Sequence, residues 1–184
     1  MPNWCMDRLT VSGPDHGQMT ALWAQGNVFS KIIPQPETFS EKEIAELEEY
    51  GRSTFLQPPR ITAEDAWWWW RIKNWGIKWD VDEAEVSQAD DKTVIQFVTP
   101  WSPPTAGLLI FSALYPDLRF VLVCCEPSMH YAAETVFFAG KVLSDNCYGD
   151  GQGYQRIAAE FGCEDEDEEV DEEVDASQWQ QEGL

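Results

Sequence analysis

The side chains in this sequence that are best able to do chemistry are its thiols and imidazoles. The five cysteines are Cys5, Cys124, Cys125, Cys147 and Cys163, and the two histidines are His16 and His130. No two cysteines form a C-x-x-C pair, and neither histidine lies in a cluster with metal-ligand spacing, whereas zinc needs about four ligands. Cys124 and Cys125 are neighbours in an apolar run, where a strand points them to opposite faces. The pattern predicts reduced thiols, a cytoplasmic setting and no metal site.

Motifs of nucleotide-dependent and nucleophilic enzymes are absent from the sequence. Gly149–Gly153 is rich in glycine, but it lacks the lysine that follows the glycines of a phosphate-binding loop. A calcium loop starting at Asp145 would have Asp150 at its sixth position, where that loop needs glycine. His130 and Glu126 have the residue types of an acid–base pair, but they lie on a predicted turn that carries no nucleophile motif. The sequence therefore predicts a protein that is not an enzyme and needs no cofactor.

The strongest charge signal is a run of acids that begins at Glu164. Ten of the twelve residues from Glu164 to Asp175 are acidic and none is basic. The whole chain has 12 Lys+Arg and 33 Asp+Glu, a net charge of −21, and residues 164–184 carry −11 of it. Such runs repel themselves and stay disordered. We therefore predict a domain boundary near Cys163 and a disordered acidic tail over 164–184.

The spacing of these acids resembles that of nucleic-acid phosphates. In an extended chain of ~3.4 Å per residue the charges fall every ~4 Å, against ~3.4 Å per phosphate of one DNA strand. In a helix of ~1.5 Å per residue they fall every ~1.8 Å, against ~1.7 Å for the duplex. The run predicts either a solubilising tail or a nucleic-acid mimic. The candidate partner-binding acids are Glu164, Asp165, Glu166, Asp167, Glu168, Glu169, Asp171, Glu172, Glu173 and Asp175.

Four consecutive tryptophans begin at residue 67. They cannot all face one core, because a helix spreads them around most of its circumference. The spacing of Trp68, Ile72 and Trp75 predicts the core-facing stripe of that helix. Trp67 and Trp70 lie on another side, where they either pack under a neighbouring segment or stay exposed as a partner-binding patch.

Three tryptophans stand at predicted corners of the chain. Trp75 and Trp79 flank Gly76, which permits a tight exit from a helix, and Trp101 precedes a helix start. Large amphipathic rings at such corners normally fill the core and hydrogen-bond locally. We therefore predict that all three are core residues.

The hydrophobic pattern along the chain predicts an α+β fold. Strands are predicted at 4–12, 82–88, 92–99, 118–125 and 135–139, and helices at 14–25, from residue 102 and around 157–161. Apart from an insertion and one extra strand, this order is β-α-β-β-α-β, the ferredoxin-like antiparallel sheet with helices on one face. We predict one such domain over residues 1–163, with a helical insertion at about 27–61.

Local patterns also predict how the helices begin and which way they face. Ser40–Glu43 forms a capping box that opens a helix in the insertion, and Thr62–Asp65 resembles a weaker cap. Ser102 is expected to cap the helix after the hairpin, with Pro103 in its first turn. The expected inner face of that helix comprises Ala106, Leu109, Ile110, Ala113 and Leu114.

Five short strings follow one another along residues 1–143. They are Met1–Cys5 (MPNWC), Arg8–Gly13 (RLTVSG), Lys31–Pro34 (KIIP), Asn74–Asp80 (NWGIKWD) and Trp101–Pro104 (WSPP). Together they resemble the YubB-like proteins of plasmids and phages. The resemblance implies a ferredoxin-like domain, an origin on a mobile element and a bacterial cytoplasmic location, and it brings no catalytic residue set. The tryptophan run and the acidic tail depart from the family pattern.

The excess of acid limits the class of partner. An acidic surface repels duplex DNA and anionic membranes, and no apolar run approaches the ~20 residues of a membrane span. The sequence therefore predicts a non-catalytic accessory protein that presents acid to a basic, nucleic-acid-binding surface of a host protein. Two alternatives stay open. One is a module that binds a protein through its sheet or tryptophan patch. The other is a protein that binds a nucleotide through Arg8, Arg71, Lys73 and Lys78.

Overall fold

The computed structural model describes residues 3–54, 60–149 and 151–163 of the chain. Its centre is a six-stranded sheet in the order β2-β3-β1-β4-β5-β6, in which every neighbouring pair is antiparallel. The strands are β1 (Trp4–Ser12), β2 (Glu85–Gln88), β3 (Lys92–Pro100), β4 (Arg119–Glu126), β5 (Tyr131–Phe138) and β6 (Lys141–Tyr148). The hairpin of β2 and β3 is therefore confirmed, and β6 is a strand that the sequence analysis did not predict.

Six helices accompany the sheet in the described part of the chain. They are α1 (Gln18–Ala24), α2 (Val28–Ile32), α3 (Glu41–Thr54), α4 (Ala66–Asn74), α5 (Thr105–Leu114) and α6 (Gly151–Glu160). Elements β1, α1, β2, β3, α5 and β4 follow the ferredoxin-like order, which confirms the predicted α+β fold class. None of these helices has the length and apolar character needed to cross a bilayer. The predicted acidic tail lies outside the described residues.

The main core lies between one face of the sheet and helices α1, α2 and α5. Strand β1 forms as predicted because alternate residues such as Leu9 and Val11 point into this core. Leu9 stands opposite Ile95 of β3 and Leu122 of β4, so β1 is paired on both sides, and its buried residues alternate with half-buried ones. This face of β1 therefore fixes the sheet against the helices.

Helix α5 begins later than predicted and shows a different face to the core. Pro104 occupies its N-cap position, and the Ser102 hydroxyl instead donates a hydrogen bond of 3.2 Å to the Gly76 carbonyl. The buried side of α5 comprises Gly107, Leu108, Phe111 and Ser112. The predicted cap at Ser102 is therefore wrong. The predicted inner face is wrong for Ala106, Ile110, Ala113 and Leu114, whereas Leu109 is half-buried and packs against the main core.

The rotation of α5 follows from one close approach. Gly107 lies so near the Phe29 ring that an added Cβ would stand 2.4 Å from a ring carbon, and its N–H donates to the Trp75 carbonyl at 3.1 Å. Helix α5 carries apolar residues around most of its circumference. The hydrophobic periodicity of the sequence therefore does not determine which face of α5 is buried.

The predicted insertion contains α2, α3 and a second, smaller apolar cluster. Its capping box is confirmed, because the Ser40 N–H and hydroxyl donate to Glu43 Oε2 at 2.8 and 2.6 Å. The Glu43 N–H returns a bond of 3.3 Å to Ser40 Oγ. Leu47 of α3 then packs with Ile61 and with α4. The insertion thus has a core of its own, on one side of α4.

Helix α4 buries a different stripe from the predicted one. Ala66 and Trp69 are buried against the insertion, whereas Trp68 and Ile72 are only half-buried. The prediction is therefore wrong for Trp68 and Ile72, and Trp75 is buried as expected. Because α4 lies between the main core and the insertion, its contact with α3 decides which side is covered.

Helix α6 packs on the face of the sheet opposite α1 and α5. Its residues Tyr154, Ile157 and Ala158 form a cluster with Val123 and Cys125 of β4. These strand residues alternate with the β4 residues that face the main core. The two faces of the sheet are thus covered by different helices.

The close contact at Gly107 gives a test of the fold. We expect Gly107→Ala to lower the free energy of unfolding by about 1–3 kcal/mol, because the new methyl group overpacks the Phe29 ring. Urea unfolding followed by tryptophan fluorescence measures the change. Gly149→Ala is the matched control, since an added Cβ there has no atom within 4 Å. Equal midpoints for the two variants would contradict this account of the position of α5.

Candidate functional site: an acidic and aromatic surface

A groove runs along the α6 face of the sheet, because α6 packs mainly on β4, β5 and β6. The β1 and β3 part of that face stays open, and Val98 of β3 is 51% exposed there. The groove has a volume of about 560 Å³. Met6, Gln96 and Val98 contribute to its floor, and Phe161 stands beside the end of α6. It is therefore a surface groove with a partly apolar floor.

Carboxylates line the groove on both sides. Glu83 and Glu85 lie on the β2 side, are exposed, and form no ion pair with another residue in the described part of the chain. On the other side Glu160 pairs with Arg8, whose guanidinium lies 5.4 Å from the centroid of the Phe161 ring. The groove therefore has a net negative lining around its apolar floor.

The last described residue, Cys163, lies beside this groove. The Cys163 sulfur lies 3.6 Å from the sulfur of Met6, which is itself a lining residue. The ten predicted partner-binding acids, of which Glu164 is the first, lie outside the described residues. In the sequence, the acid run follows Cys163 directly.

A second depression, of about 350 Å³, adjoins the groove and shares Glu83 and Val98 with it. Trp4 and Trp79 line this depression, and the ring centroid of Trp79 lies 5.7 Å from that of Trp101. We call Trp4, Trp79 and Trp101 the tryptophan cluster; they are 49%, 39% and 45% exposed. The prediction that Trp79 and Trp101 are core residues is therefore wrong.

The chain segments that carry the cluster meet at the end of β3. The Trp101 N–H donates to the Asn3 carbonyl at 2.9 Å, and the Ser102 N–H donates to the Pro100 carbonyl at 2.8 Å. Trp101 has a φ of +64°, in the left-handed region. For a residue with a bulky side chain this conformation costs about 1–2 kcal/mol. The turn therefore holds Trp101 outward against a backbone preference.

Acids flank the tryptophan cluster as well. Asp80 and Asp82 line the second depression together with Glu83. The Asp80 carboxylate already accepts hydrogen bonds from the backbone N–H groups of Phe29 and Ser30, at 3.0 and 2.7 Å. Asp82 and Glu83 are exposed and have no ion pair within the described ranges. These two are the carboxylates that remain able to meet a ligand.

Behind the cluster, cationic side chains and indole rings alternate. The Arg71 guanidinium carbon lies 4.7 Å from the centroid of Trp75 and 5.2 Å from that of Trp67. The Lys78 ammonium lies 5.9 Å from the Trp67 ring and 5.1 Å from the Trp79 ring. Burial lowers the pKa of Arg71, and the charge of Asp80 partly opposes this effect. The series thus runs from the buried Trp75 outward to the exposed cluster.

The two tryptophans predicted as partner-binding residues belong to the inner part of this series. Trp67 is half-buried beneath Arg71 and Lys78. Trp70 is half-buried between the main core and the insertion, with its ring 5.9 Å from that of Trp75 in an edge-on arrangement. Their contact with a partner stays a prediction, and the more exposed rings are those of the tryptophan cluster.

The four cations proposed to gather around a nucleotide do not lie together. Arg71 and Lys78 meet at Trp67, whereas Arg8 is on the α6 face of the sheet, paired with Glu160. Arg71 is further occupied by hydrogen bonds to Gln35 and to the Lys78 carbonyl. The geometry therefore does not favour an anion site built from this set.

A buried acid supports the turn that carries Trp101. Asp7 is 1% exposed, and its Oδ2 lies 2.6 Å from the Thr99 hydroxyl, which lies 2.9 Å from the Ser102 carbonyl. Burial raises the pKa of Asp7 well above its usual range, and hydrogen bonds with Thr99 and Cys5 oppose this only in part.

The hydrogen-bond count agrees with a neutral Asp7. The Thr99 hydroxyl has one proton, and the Ser102 carbonyl can only accept. When Asp7 is protonated, its carboxyl donates to the Thr99 hydroxyl, and that hydroxyl donates to the Ser102 carbonyl. Each of these three groups then has a hydrogen-bond partner. The buried acid thereby connects β1 to β3 and to the turn after it.

Two thiols lie beside this acid. The sulfurs of Cys5 and Cys124 and a carboxylate oxygen of Asp7 are all within 4.8 Å of one another, and all three residues are buried. A hydrogen bond with Cys124, together with burial, raises the pKa of Cys5. Structural zinc takes about four protein ligands, and these three donors are too few to complete such a site. A protonated acid and thiol form a hydrogen-bonded cluster, which does not favour nucleophilic chemistry.

Sequence reasoning missed the tryptophan cluster, although two signals point to it. Trp4 has the same parity on β1 as Met6 and Arg8, opposite to that of the buried Leu9 and Val11. Trp79 is followed closely by acids, which suits a solvated segment better than a core. Neither signal indicates that Trp101 would stand beside Trp79, because that contact joins segments distant in the chain.

Comparison with known proteins supports the fold. No family model matches the chain, and no curated protein matches it. Among solved structures, the chain is similar to protein api92 from Yersinia pseudotuberculosis, described as family DUF1281. That similarity has a TM-score of 0.53 at 10% identity and covers 82% of this chain and 99% of that chain. At this identity the likeness shows the fold alone.

The raised pKa of Asp7 predicts how the free energy of unfolding changes with pH. Below the ordinary aspartate value of 3.8, Asp7 is protonated in both the folded and the unfolded chain. As the pH rises, the unfolded chain ionises first, so the folded state loses relative stability until Asp7 itself ionises. We expect Asp7→Asn to raise the free energy of unfolding at about pH 8 by about 1 kcal/mol or more, and to have little effect near pH 4.

Urea unfolding at several pH values measures this difference. Asp91→Asn removes the same charge from an exposed position on the β2–β3 hairpin and is the matched control. A gain for Asp7→Asn that is as large at low pH as at high pH would contradict the protonated-acid account.

Proposed function

We propose that this chain is a non-catalytic protein that binds the basic, nucleic-acid-binding surface of another protein. The observation that carries the proposal is the continuity of acid on one side of the domain. Exposed Glu83 and Glu85 line an open groove, and the acid run begins after Cys163, which contacts the same groove. We therefore expect the exposed acids of the groove and the acid run after Cys163 to bind the same basic partner.

The charge of the chain favours fast capture of a basic target. Its net charge is −21, and about half of it lies outside residues 164–184. Long-range attraction between complementary charges raises the association rate and is weakened by salt. The same field repels DNA and anionic lipids. The class of partner that best fits is thus a protein whose own ligand is a polyanion.

The buried reactive groups support a binding role over catalysis. Burial raises the pKa of Cys125 to about 12, which keeps its thiol protonated. The same direction of pKa shift applies to Cys5 and Asp7, and neither lies on an exposed surface. Thiolates, rather than thiols, act as nucleophiles. These groups are better explained as packing and hydrogen-bonding elements of the sheet.

The setting of the proposal comes from the resemblance to plasmid and phage proteins. Accessory proteins of mobile elements act in the bacterial cytoplasm, so the proposed partner is a host defence protein or a protein that handles nucleic acid. Competition with the partner's DNA or RNA would then inhibit it.

A second candidate function is favoured by the tryptophan cluster. Exposed Trp4, Trp79 and Trp101 resemble the aromatic anchors of protein interfaces, which bind chiefly by burying apolar area. A partner held by these rings alone would bind as well at high salt as at low salt. Salt dependence therefore separates the two candidates.

The test is capture of proteins from a bacterial lysate by the immobilised chain, followed by elution with duplex DNA and with salt. We expect the captured protein to bind nucleic acid, to be displaced by duplex DNA, and to elute well below about 1 M sodium chloride. Glu83→Gln/Glu85→Gln should weaken its binding by about tenfold, and removal of residues 164–184 should weaken it further.

The control variant removes the same number of charges from the same hairpin. Asp90→Asn/Asp91→Asn lies at the turn between β2 and β3, away from the groove. We expect it to bind nearly as well as the unaltered chain. Retention of the partner in about 1 M salt, or failure of DNA to displace it, would overturn the proposed mimicry.

A further inference from the structure

We propose that the tryptophan cluster is a receptor for a guanidinium group, namely an arginine side chain of the basic partner. This inference rests on the proposed function and names the side chain that the acidic surface would recognise. The receptor comprises Trp101 and Trp79, together with three further residues that line the second depression with Trp79, namely Trp4, Asp82 and Glu83.

The backbone conformation of Trp101 supports a binding role for its ring. Its φ of +64° is unfavourable for a bulky residue, yet its ring is 45% exposed and fills no part of the buried core. Core packing therefore does not compensate for the backbone strain. Two backbone hydrogen bonds, from Trp101 to Asn3 and from Ser102 to Pro100, hold the turn in place. Strain of this kind is concentrated at functional sites.

Behind the tryptophan cluster, indole rings alternate with cationic side chains, and this pattern supports a cation as the ligand. Arg71 lies between Trp75 and Trp67, and Lys78 lies between Trp67 and Trp79. Trp79 then meets Trp101, on which no cation of the described residues is placed. The face of an indole attracts a cation through its quadrupole. A cation supplied by a partner would extend the series by one position.

The negative charge beside the tryptophan cluster also supports a cationic ligand. Asp82 and Glu83 are exposed, line or adjoin the same depression as Trp4 and Trp79, and have no ion pair in the described part of the chain. A carboxylate pair beside indole rings suits a group that is both cationic and flat. It repels a nucleobase on a phosphate backbone, which would otherwise also stack on exposed aromatic rings.

These features favour arginine over lysine. The guanidinium group is planar, stacks on an aromatic face and donates in a fork to a carboxylate at the same time. It is also more weakly hydrated than an ammonium group, so it loses less on leaving water. The depression, of about 350 Å³, is at the small end of the range for ligand pockets, which suits one side chain better than a whole segment.

The inference is tested by titrating the full chain, with its tryptophans labelled with nitrogen-15, with a short peptide of alternating arginine and glycine. Two matched peptides replace arginine by lysine or by citrulline, the neutral analogue of the same shape. We expect the indole N–H signals of Trp79 and Trp101 to shift with the arginine peptide, less with lysine, and not with citrulline.

Two variants test whether the indole rings bind the arginine peptide. Trp101→Gly removes the ring and is chosen because glycine accepts a positive φ, so the thermal midpoint should not fall. Trp79→Ala removes the neighbouring ring. Each should weaken binding of the arginine peptide by about fivefold or more. Phe138→Ala is the control, since Phe138 is a 38% exposed aromatic opposite Arg119, at the far end of the sheet from Trp4.

The outcomes separate this inference from the proposed function. Unchanged binding in both tryptophan variants, or equal binding of the citrulline peptide, overturns the guanidinium receptor. If Glu83→Gln/Glu85→Gln still weakens capture of the partner in that case, the proposed function stands without it. Indole shifts produced by single-stranded DNA rather than by the arginine peptide would overturn both.

Discussion

The burial of β1 between β3 and β4 is the constraint on which the other features depend. Because β1 is paired on both sides, its alternate residues must belong to opposite faces of the sheet. Leu9 and Val11 enter the main core, and Asp7 enters the same face with its proton and its hydrogen bond to Thr99. The other face receives Met6, which lines the groove beside α6, and Arg8, which pairs with the lining residue Glu160.

That division places binding chemistry and buried chemistry on different surfaces. Cys5 and Asp7, whose pKa values are raised, lie inside, where protonation lets them hydrogen-bond without carrying charge. The ionised carboxylates lie outside, around an apolar floor and beside three exposed indoles. An acidic surface with aromatic anchors can attract a basic protein from a distance and then hold it by contact.

Much of the fold was predictable because it rests on local patterns. The alternation in β1, the hairpin of β2 and β3, and the capping box at Ser40–Glu43 each involve neighbouring residues, and each is confirmed. The buried sides of α4 and α5 were predicted wrongly. Both helices carry large apolar residues around most of their surface, so their rotation depends on a contact with another segment, such as that of Gly107 with Phe29.

The sequence by itself determined the excess of acid, its concentration after Cys163, and the ferredoxin-like order of strands and helices, since composition and periodicity are properties of the chain. Only the tertiary structure decided which tryptophans face solvent. Trp79 and Trp101 follow different elements and meet because Ser102 bonds to the end of α4 and Trp101 bonds to the start of β1. Contacts between segments so far apart leave no local pattern in the sequence, because they depend on how whole elements pack.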